Sequence, residues 1–380
     1  MRVLWFGTYS VGPGYPRNTV LMESLRSAGV EVAECHAPLF GGAADKVAAA
    51  RSPLRWGLRA AAAWARLALK FHRAGPRDLV VVGYTGHFDL FLARALSVVR
   101  RRPLVLDAFL SPYDTAVGDR KLLAPESRTA RALFRVERAA LRSADLVLTD
   151  TAAHADFMAG TFGVPRRRFV PVPVGSLVTA PMAAPVPVGA GGGGPGAAED
   201  FHAFFCGSFV PLQGVPYILD AAAGAPDLAF RLVGDGPDGP VVEEEVRRRA
   251  MANVTLERRF IPKDELERRL AAAGAVLGVF GSTPKAARVV PCKVYDGLAA
   301  GLPVVTARTP AAEELLTHGR DALLVDRRDP ASLAAALRRL RDEPGLGDRL
   351  REGARRIARE RFSREALGLR LRGAPQELVP

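Results

Sequence analysis

Long apolar runs and cysteine are both scarce in this chain of 380 residues. No uncharged apolar stretch of about 18 residues occurs, which excludes a hydrophobic membrane-spanning helix. Cys35, Cys206 and Cys292 are far apart and form no CxxC pair, which excludes a disulfide framework and a structural zinc site. This cysteine usage indicates a reduced, cytoplasmic setting. Lys293 follows Cys292, but no histidine or acidic partner is evident, so a catalytic thiol is not expected.

Lysine is also rare, although the formal net charge is +13. Only six of the 53 basic residues are lysine, and the excess of arginine, alanine and glycine is typical of coding DNA rich in G and C. The arginines are spread through predicted helices, without a basic motif interleaved with aromatic residues. Nucleic acid is therefore not an expected partner, whereas anionic small molecules and anionic lipids remain compatible with the charge.

Strand-like and helix-like segments alternate through the first half of the chain. Continuous valine and leucine runs separated by helices indicate a parallel sheet covered on both faces, and right-handed crossovers then give a Rossmann-like domain. The short apolar run at the N-terminus is interpreted as the first buried strand and not as a secretory signal. The predicted elements are strands at Val3–Phe6, Val30–Ala33, Leu79–Val82, Leu104–Leu106, Leu146–Leu148 and Phe169–Val172, and a helix at Thr19–Ala28.

A second alternating series follows residues 176–200, a segment rich in glycine and proline that we interpret as a flexible linker. We therefore predict an α/β protein with two Rossmann-like domains, residues 1–175 and 201–362, whose parallel sheets face each other across a ligand-binding cleft. A tail, residues 363–380, can return to the first domain. The predicted strands are Ala203–Cys206, Ala229–Val233, Val254–Leu256, Ala275–Val279, Pro303–Thr306 and Ala322–Val325, with helices at Val241–Met251, Lys263–Ala273 and Val294–Ala300 and an arginine-rich helical region over Pro330–Arg361.

A basic segment between Arg51 and Arg73 stands out in the predicted first domain. It contains no acidic residue, and its cations fall at helical spacing on one face. The pattern is typical of a solvated helix face, and it also fits a helix that rests on an anionic membrane surface or grips an anionic acceptor. The apolar residues expected elsewhere on the surface of this helix are Leu54, Leu58, Trp64 and Leu67.

Small-residue turns follow several predicted strands of the second domain. The turn at Gly207 and Ser208, continued by Gln213 and Gly214, aims backbone N–H groups at an anion. Gly234 and Asp235 form a tight turn after the next strand. Lys293 and Asp296, which follow Pro291, lie on one face of a helix and can serve a phosphate and a pair of ribose hydroxyls. Taken alone, such a pair is most often a surface ion pair.

The ordered series of these motifs resembles the family-4 glycosyltransferases, retaining enzymes of the GT-B architecture. Phe205-Cys-Gly-Ser with Gln213-Gly214 is similar to their diphosphate-binding turn, and Leu232-Val-Gly-Asp-Gly-Pro237 to their second glycine turn. Residues 258–262 correspond to their nucleobase loop, and residues 290–305 resemble their donor-binding helix. In this second half the resemblance implies donor-binding roles for Gly207, Ser208, Gln213, Gly214, Gly234, Asp235, Arg259, Phe260, Ile261, Pro291, Lys293, Val294 and Asp296, and catalytic roles for Arg288 and Lys293.

The first half resembles the family more loosely, as expected of an acceptor-binding domain. The loop with Gly12, Gly14 and Arg17 occupies the place where the family brings a glycine-rich loop to the donor phosphates. His87 follows a strand, where the family commonly keeps a histidine near the anomeric centre. A structural role is the alternative for His87. Asp107 ends another strand and is expected to face the cleft as a catalytic residue, whereas capping and packing explain His154.

Three departures from the family pattern concern charge. The family places arginine and lysine in the diphosphate turn, where this chain has Ser208 and Gln213. Its donor helix carries two glutamates eight residues apart, where this chain has Arg288 and Asp296. We hypothesise that the positive charge has moved, so that Arg288 and Lys293 supply it, with Lys285 and Arg17 as further candidates.

The resemblance implies transfer of a glycosyl group from a nucleoside-diphosphate sugar to a hydroxyl acceptor with retention. No DxD pair is placed to bridge a diphosphate, so we expect no metal and no other cofactor. The acceptor could be a secondary metabolite, a cyclitol or a glycolipid. The alternatives are a GT-B protein with altered chemistry (pseudo-glycosyl transfer, epimerisation or binding without turnover) and a basic scaffold that binds nucleic acid or membrane. A dehydrogenase is not expected, because the first loop is not GxGxxG.

Overall fold

The chain forms two compact units, each built on a six-stranded parallel sheet. The computed structural model describes residues 1–11, 16–39, 53–75, 77–98, 102–178 and 201–374. Unit 1 comprises the described residues of Met1–Val117, Lys121–Pro173 and Arg364–Pro380, and unit 2 comprises those of Gly118–Arg120 and Val174–Ser363. The linker predicted from residue 176 thus has its first residues, 176–178, in unit 2, and its remainder lies outside the described residues.

The sheet of unit 1 has the order β2-β1-β3-β4-β5-β6, and all its neighbours run parallel. Its central strands are runs of valine and leucine buried on both faces, because helices cover the sheet on each side. The six predicted strands are confirmed, with ends that differ by at most three residues. The strands are β1 (Arg2–Gly7), β2 (Glu31–His36), β3 (Leu79–Val82), β4 (Leu104–Asp107), β5 (Leu146–Thr149) and β6 (Phe169–Pro171).

Six α-helices accompany this sheet among the residues that the structure describes. The helix that follows β1 begins at Pro16, three residues before the predicted start, because proline is well suited to a first helical position. The helices are α1 (Pro16–Ser27), α2 (Pro53–Arg73), α3 (Asp89–Val98), α4 (Arg128–Ser143), α5 (Ala152–Phe162) and, from the C-terminal end of the chain, α13 (Arg364–Gly373).

The sheet of unit 2 has the order β12-β11-β10-β7-β8-β9 and is also parallel throughout. Its strands are β7 (His202–Cys206), β8 (Ala229–Val233), β9 (Val254–Glu257), β10 (Ala275–Leu277), β11 (Val304–Ala307) and β12 (Leu323–Val325). Its helices are α6 (Val215–Ala223), α7 (Gly239–Arg248), α8 (Lys263–Ala271), α9 (Cys292–Ala299), α10 (Pro310–Leu315), α11 (Pro330–Asp342) and α12 (Leu346–Ile357).

The helical region predicted over Pro330–Arg361 is present, but it is interrupted. The structure has two helices there, α11 and α12, and a π-helical segment, Ala358–Phe362, continues the second. Pro344 disfavours helical backbone at the residue before it, and Gly345 adopts a left-handed conformation with φ of 74°. These two residues end the first helix and redirect the chain into the second.

Helix α13 packs against α1 within unit 1. Gly368 lies so close to α1 that a Cβ atom added there would be 2.0 Å from the carbonyl oxygen of Ser24. Arg364 forms an ion pair of 2.6 Å with Glu23 of α1. The C-terminal helix is therefore held to α1 by a contact that only glycine permits and by charge.

Substitution Gly368→Ala is expected to destabilise unit 1 by about 1–3 kcal/mol, because the added methyl group overlaps the backbone of α1. Gly373→Ala is the matched control, since nothing lies within 4 Å of a Cβ atom at that position of the same helix. Chemical denaturation of both variants measures the difference. Equal stability of the two would contradict the close packing of α13 on α1.

Candidate functional site in unit 2

Two glycine turns meet at the carboxyl edge of the unit 2 sheet. A Cβ atom at Gly234, whose φ is 151°, would be 1.8 Å from the carbonyl oxygen of Gly207. The N–H of Gly207 donates to the carbonyl oxygen of Val233, and the N–H of Gly234 donates to the carbonyl oxygen of Glu257, at 3.0 Å each. The predicted diphosphate turn and the second glycine turn, with Ser208 and Asp235, are therefore in direct contact, and Gly234 cannot carry a side chain.

The segment with Gln213 and Gly214 is fixed against the loop that follows β10. Gly214 has a φ of 70°, and a Cβ atom there would be 2.3 Å from the backbone nitrogen of Gly281. Phe280 donates its N–H to the carbonyl oxygen of Gln213 at 3.0 Å. The side chain of Gln213 is itself largely buried. The position of Gln213 is thus set by the packing of its backbone and that of Gly214 against the loop after β10.

Lys293 brings a cation to these turns from the first turn of α9, which begins after Pro291. Its Nζ donates a hydrogen bond of 2.8 Å to Oε1 of Gln213 and lies 3.4 Å from the centroid of the Phe205 ring. A Cβ atom on Gly207 would be only 2.6 Å from the same Nζ. The ammonium group therefore lies directly against the predicted diphosphate turn, where the resembled family has cationic loop residues.

Burial controls the charge of Lys293. Its side chain is 8% exposed, and loss of hydration lowers its pKa to about 7, against the opposing effects of Cys206, Cys292 and Asp296. Two contacts stabilise the charged form, the Gln213 amide oxygen and the face of the Phe205 ring, and the charge of Asp296 also favours it. An ammonium group with a pKa near neutrality can respond strongly to a bound anion.

Asp296 lies one turn further along α9, beside Val294, which is fully buried. Burial raises the pKa of Asp296 to about 6, while the Ser176 hydroxyl and Lys293 act in the opposite direction. Oγ of Ser176 donates to Oδ1 of Asp296 at 2.5 Å. The predicted phosphate cation and the predicted ribose carboxylate therefore lie one turn apart on the same helix.

The predicted nucleobase loop follows β9 and carries its charges in ion pairs. Arg259 pairs with Glu257 at 3.0 Å and also with Glu265. Phe260 is 71% exposed and Ile261 is half-buried. The structure thus presents an aromatic ring to solvent in this loop, while the guanidinium of Arg259 is engaged by carboxylates.

For Asp235 the structure shows the partners of the side chain, and for Arg288 it shows the burial and the backbone hydrogen bond. Oδ1 of Asp235 accepts the N–H of Gly236 at 2.8 Å and pairs with Arg258 at 3.1 Å, and these contacts hold its pKa below its usual value. Arg288 is half-buried and follows a short turn, Pro284–Ala287, where its N–H is donated to Lys285. Lys285 itself is buried.

In unit 1, Arg17 and Asp107 pair with each other in the interior. Nε of Arg17 donates to both carboxylate oxygens at 2.8 and 2.9 Å, and its other nitrogens donate to the carbonyl oxygens of Val172 and Thr149. Both side chains are at most 1% exposed. Burial raises the pKa of Asp107 and the ion pair opposes that rise. Arg17, a candidate for diphosphate charge, here joins α1 to the ends of β4 and β5 and to Val172.

His87 is buried in the loop after β3. Its Nε2 lies 4.0 Å from Oε1 of Glu137, and neither ring nitrogen has a hydrogen-bond partner in the described part of the chain. Burial lowers its pKa to about 4, so the ring is neutral at pH 7. Gly12 and Gly14, the other predicted donor-binding residues of unit 1, lie outside the described residues.

Asn18 is a residue that sequence reasoning missed. Its Nδ2 donates to the carbonyl oxygens of Ser10 and Tyr84, at 3.0 and 2.6 Å, and its Oδ1 accepts from Nε1 of Trp5. The side chain thus joins the loop after β1 to the loop that carries His87. No local sequence pattern signals it, because its partners are distant along the chain.

The predicted surface of the basic helix needs a correction. Leu67 is fully buried in the core of unit 1, and Nε1 of Trp64 donates to Asp89 at 2.9 Å, so neither is a free surface group. Leu58 and Leu69 are the large apolar residues exposed on this helix among those whose side chains the structure describes. The side chains of 51–56, which include Arg51, Leu54 and Arg55, lie outside that description.

Over the described ranges, no cluster of three histidine, cysteine, aspartate or glutamate side chains is arranged to hold a metal ion. The helices in those ranges are all too short or too polar to cross a membrane.

Two α/β units, each built on a six-stranded parallel sheet, are the architecture of the GT-B class of glycosyltransferases. The chain resembles, over 99% of its length, HepE of Anabaena in a complex with UDP-glucose (TM-score 0.69, 18% identity, 99% of that chain). It resembles to the same extent a sucrose-phosphate synthase of Thermosynechococcus elongatus (TM-score 0.69, 16% identity, 98% of that chain). These likenesses confirm the predicted fold class.

The family models agree with this class. Residues 5–175 match the glycosyl transferase 4-like domain, and residues 200–343 match the glycosyl transferases group 1 model. Both models describe glycosyltransferase domains. The chain therefore belongs to the family-4-like glycosyltransferases, as the motif series predicted.

The curated relatives match in part. A lipopolysaccharide core biosynthesis glycosyltransferase, LpsD of Rhizobium meliloti, is 31% identical over 45% of this chain and 48% of its own length. A D-inositol 3-phosphate glycosyltransferase of Nocardioides is 32% identical over 41% of this chain and 37% of its own length. The matched region thus spans about half, or less, of these relatives.

The lowered pKa of Lys293 can be measured directly. In protein labelled with ¹⁵N-lysine, we expect one ammonium group to titrate with a midpoint near pH 7, because burial disfavours its charge. Comparison with Lys293→Met assigns the resonance. Asp296→Asn should lower the midpoint further, since it removes a carboxyl group that favours the charged form. A midpoint above about 9 would contradict the described burial.

Proposed function

We propose that this protein transfers a glycosyl group from a nucleoside-diphosphate sugar to a hydroxyl acceptor, with retention of anomeric configuration and without a metal ion. The observation that carries the proposal is the position of the Lys293 ammonium group. It lies against the Gly207 turn and on the Gln213 side chain, where the charge of a diphosphate would be bound. The family membership and the UDP-glucose complex of the HepE neighbour support a nucleotide sugar as donor.

The leaving group explains why a cation is needed at the turn. When the bond between the anomeric carbon and the diphosphate oxygen breaks, negative charge grows on that oxygen. Lys293 and the backbone N–H of Ser208 in the Gly207 turn would stabilise this charge, with Arg288 as a second cation, since the N–H groups of Gly207 and Phe209 are donated to the carbonyl oxygens of Val233 and Asp235. The acceptor oxygen would form its bond on the face from which the diphosphate leaves, and its proton would pass to a diphosphate oxygen.

The remaining predicted residues would bind the nucleoside. The Asp296 carboxylate would accept hydrogen bonds from the ribose hydroxyls, as its place on α9 beside Lys293 allows. The exposed ring of Phe260 and the adjoining Ile261 would contact the base. Uridine nucleotides are the first choice for experiment, because the HepE neighbour was solved with UDP and with UDP-glucose.

Donor binding tests the proposal first. A thermal-shift panel of the full chain against UDP, ADP, GDP and their sugars should give a rise of several degrees for one nucleotide series. Lys293→Met should weaken binding on the order of 10- to 100-fold, because it removes a charged hydrogen bond to the diphosphate. Lys121→Met is the matched control at an exposed position. No shift with any nucleotide would contradict the proposal.

The hypothesis that positive charge has moved to Arg288 can be tested in the same thermal-shift assay. Arg288→Ala should remove far more donor affinity than Gln213→Ala, because the amide of Gln213 is neutral and Lys293 remains in its absence. Equal, small effects of both substitutions would contradict relocation onto Arg288.

A product whose anomeric proton coupling matches that of the donor, formed equally in excess chelator, would support retention without a metal. Binding without a transferred product would favour the altered chemistry.

The basic face of α2 is proposed to contact an anionic membrane surface. The exposed residues Arg66 and Arg73 lie on this helix with the exposed Leu58 and Leu69, so cations and apolar groups are presented together. Lys70 is also exposed, and its Nζ donates to the carbonyl oxygen of His36. Such a helix binds lipid head groups by charge and inserts its leucines into the interface.

Vesicle flotation tests this contact. The full chain should float with phosphatidylglycerol vesicles at low salt and not with phosphatidylcholine vesicles, and the double variant Arg66→Glu and Arg73→Glu should lose this binding. Arg247→Glu with Arg268→Glu, two exposed positions of unit 2, makes the same change of charge as a control. Equal loss in both variants would indicate a general charge effect and contradict a specific role of α2.

A further inference from the structure

Ser176 has a hydrogen-bonding arrangement that fixes the direction of its hydroxyl proton. Its Oγ accepts the N–H of Val178 at 2.8 Å and donates to Oδ1 of Asp296 at 2.5 Å. A hydroxyl has a single proton, so the bond to Asp296 commits it fully. The side chain is 91% buried, which protects this bond from competition by water.

The other oxygen of Asp296 has a different environment. Within the described part of the chain, no donor makes a hydrogen bond to Oδ2, and the residue is only half-buried. Aspartate is one methylene group shorter than the glutamate that the resembled family has at this place. Its carboxylate therefore reaches less far from α9, and its orientation matters more for any ligand that it contacts.

We propose that Ser176 is a positioning residue for nucleotide binding, which holds Oδ1 of Asp296 so that Oδ2 faces the ribose hydroxyls of the donor. The inference rests on the proposed function, since it takes Asp296 as the carboxylate that binds ribose. Ser176 does not itself touch the nucleotide. It lies at the start of the segment predicted as a linker, in which no local motif marks a functional residue.

The charges around Asp296 show why the hydroxyl matters for its ionisation. Lys293 on α9 and Lys263 on α8 favour the carboxylate, whereas Glu267 on α8 and burial favour the neutral acid. The Ser176 hydroxyl adds a hydrogen bond to the charged form. Its loss should therefore move the protonation of Asp296 to higher pH and release Oδ1 at the same time.

Calorimetric titration of the full chain with UDP between pH 5.5 and 8.5 tests the inference. Wild-type affinity should fall below about pH 6, as Asp296 becomes protonated. In Ser176→Ala this fall should begin about one pH unit higher, so that UDP binds about fivefold more weakly than to wild type at pH 6, with a smaller difference at pH 8. Titration of Lys293 changes the UDP affinity on the alkaline side of the pH profile in every variant, so it does not affect the comparison of Ser176→Ala with wild type.

Two further variants complete the test. Ser176→Thr keeps the hydroxyl and should retain the wild-type profile, and Ser332→Ala removes a hydroxyl from α11 as a control for general effects. An unchanged pH profile in Ser176→Ala, or a Ser176→Thr profile equal to that of Ser176→Ala, would overturn the inference. Failure of wild-type protein to bind UDP, ADP and GDP would instead contradict the proposed function, and the inference with it.

Discussion

A buried ammonium group against a glycine turn is the constraint on which the predicted donor site depends. Lys293 can occupy its place because Gly207 has no side chain, Gln213 offers an amide oxygen and Phe205 presents the face of its ring. Two of these neighbours are fixed by the carboxyl edge of the sheet, since Phe205 lies at the end of β7 and Gly234 packs on Gly207, and Gln213 is held by the loop after β10. The positive charge is thus held by the main fold and not by a flexible loop.

The position of Lys293 bears on the two cations of the family's diphosphate turn that this chain lacks at Ser208 and Gln213. Loss of two cations from a diphosphate turn would weaken anion binding severely if no charge replaced them. We propose Lys293 as one replacement, since its ammonium group donates a hydrogen bond to Gln213, the side chain at the place where the resembled family has lysine. Its pKa near 7 is the cost of burial, and a bound diphosphate would restore the charge.

Most of the fold could be predicted because its signals are local. Apolar runs between helices identified the parallel strands of both sheets, and glycine after a strand identified the turns. Contacts between distant residues could not be predicted. Arg17 and Asp107 are 90 positions apart, and the buried ion pair that joins them appears only when α1 meets the end of β4. The contact of Ser176 with Asp296 spans 120 positions. Leu67 was misplaced on the surface because helical spacing alone does not show which face meets the sheet.

We propose that Lys293 supplies the positive charge of the diphosphate site. A crystal structure of the full chain with UDP tests it most directly, through the distance from Nζ of Lys293 to the nearest phosphate oxygen. We expect a charged hydrogen bond of about 2.7–2.9 Å, with the diphosphate at the Gly207 turn. A diphosphate bound elsewhere, or one at the Gly207 turn that is neutralised only by other side chains while Lys293 stays bonded to Gln213, would contradict it.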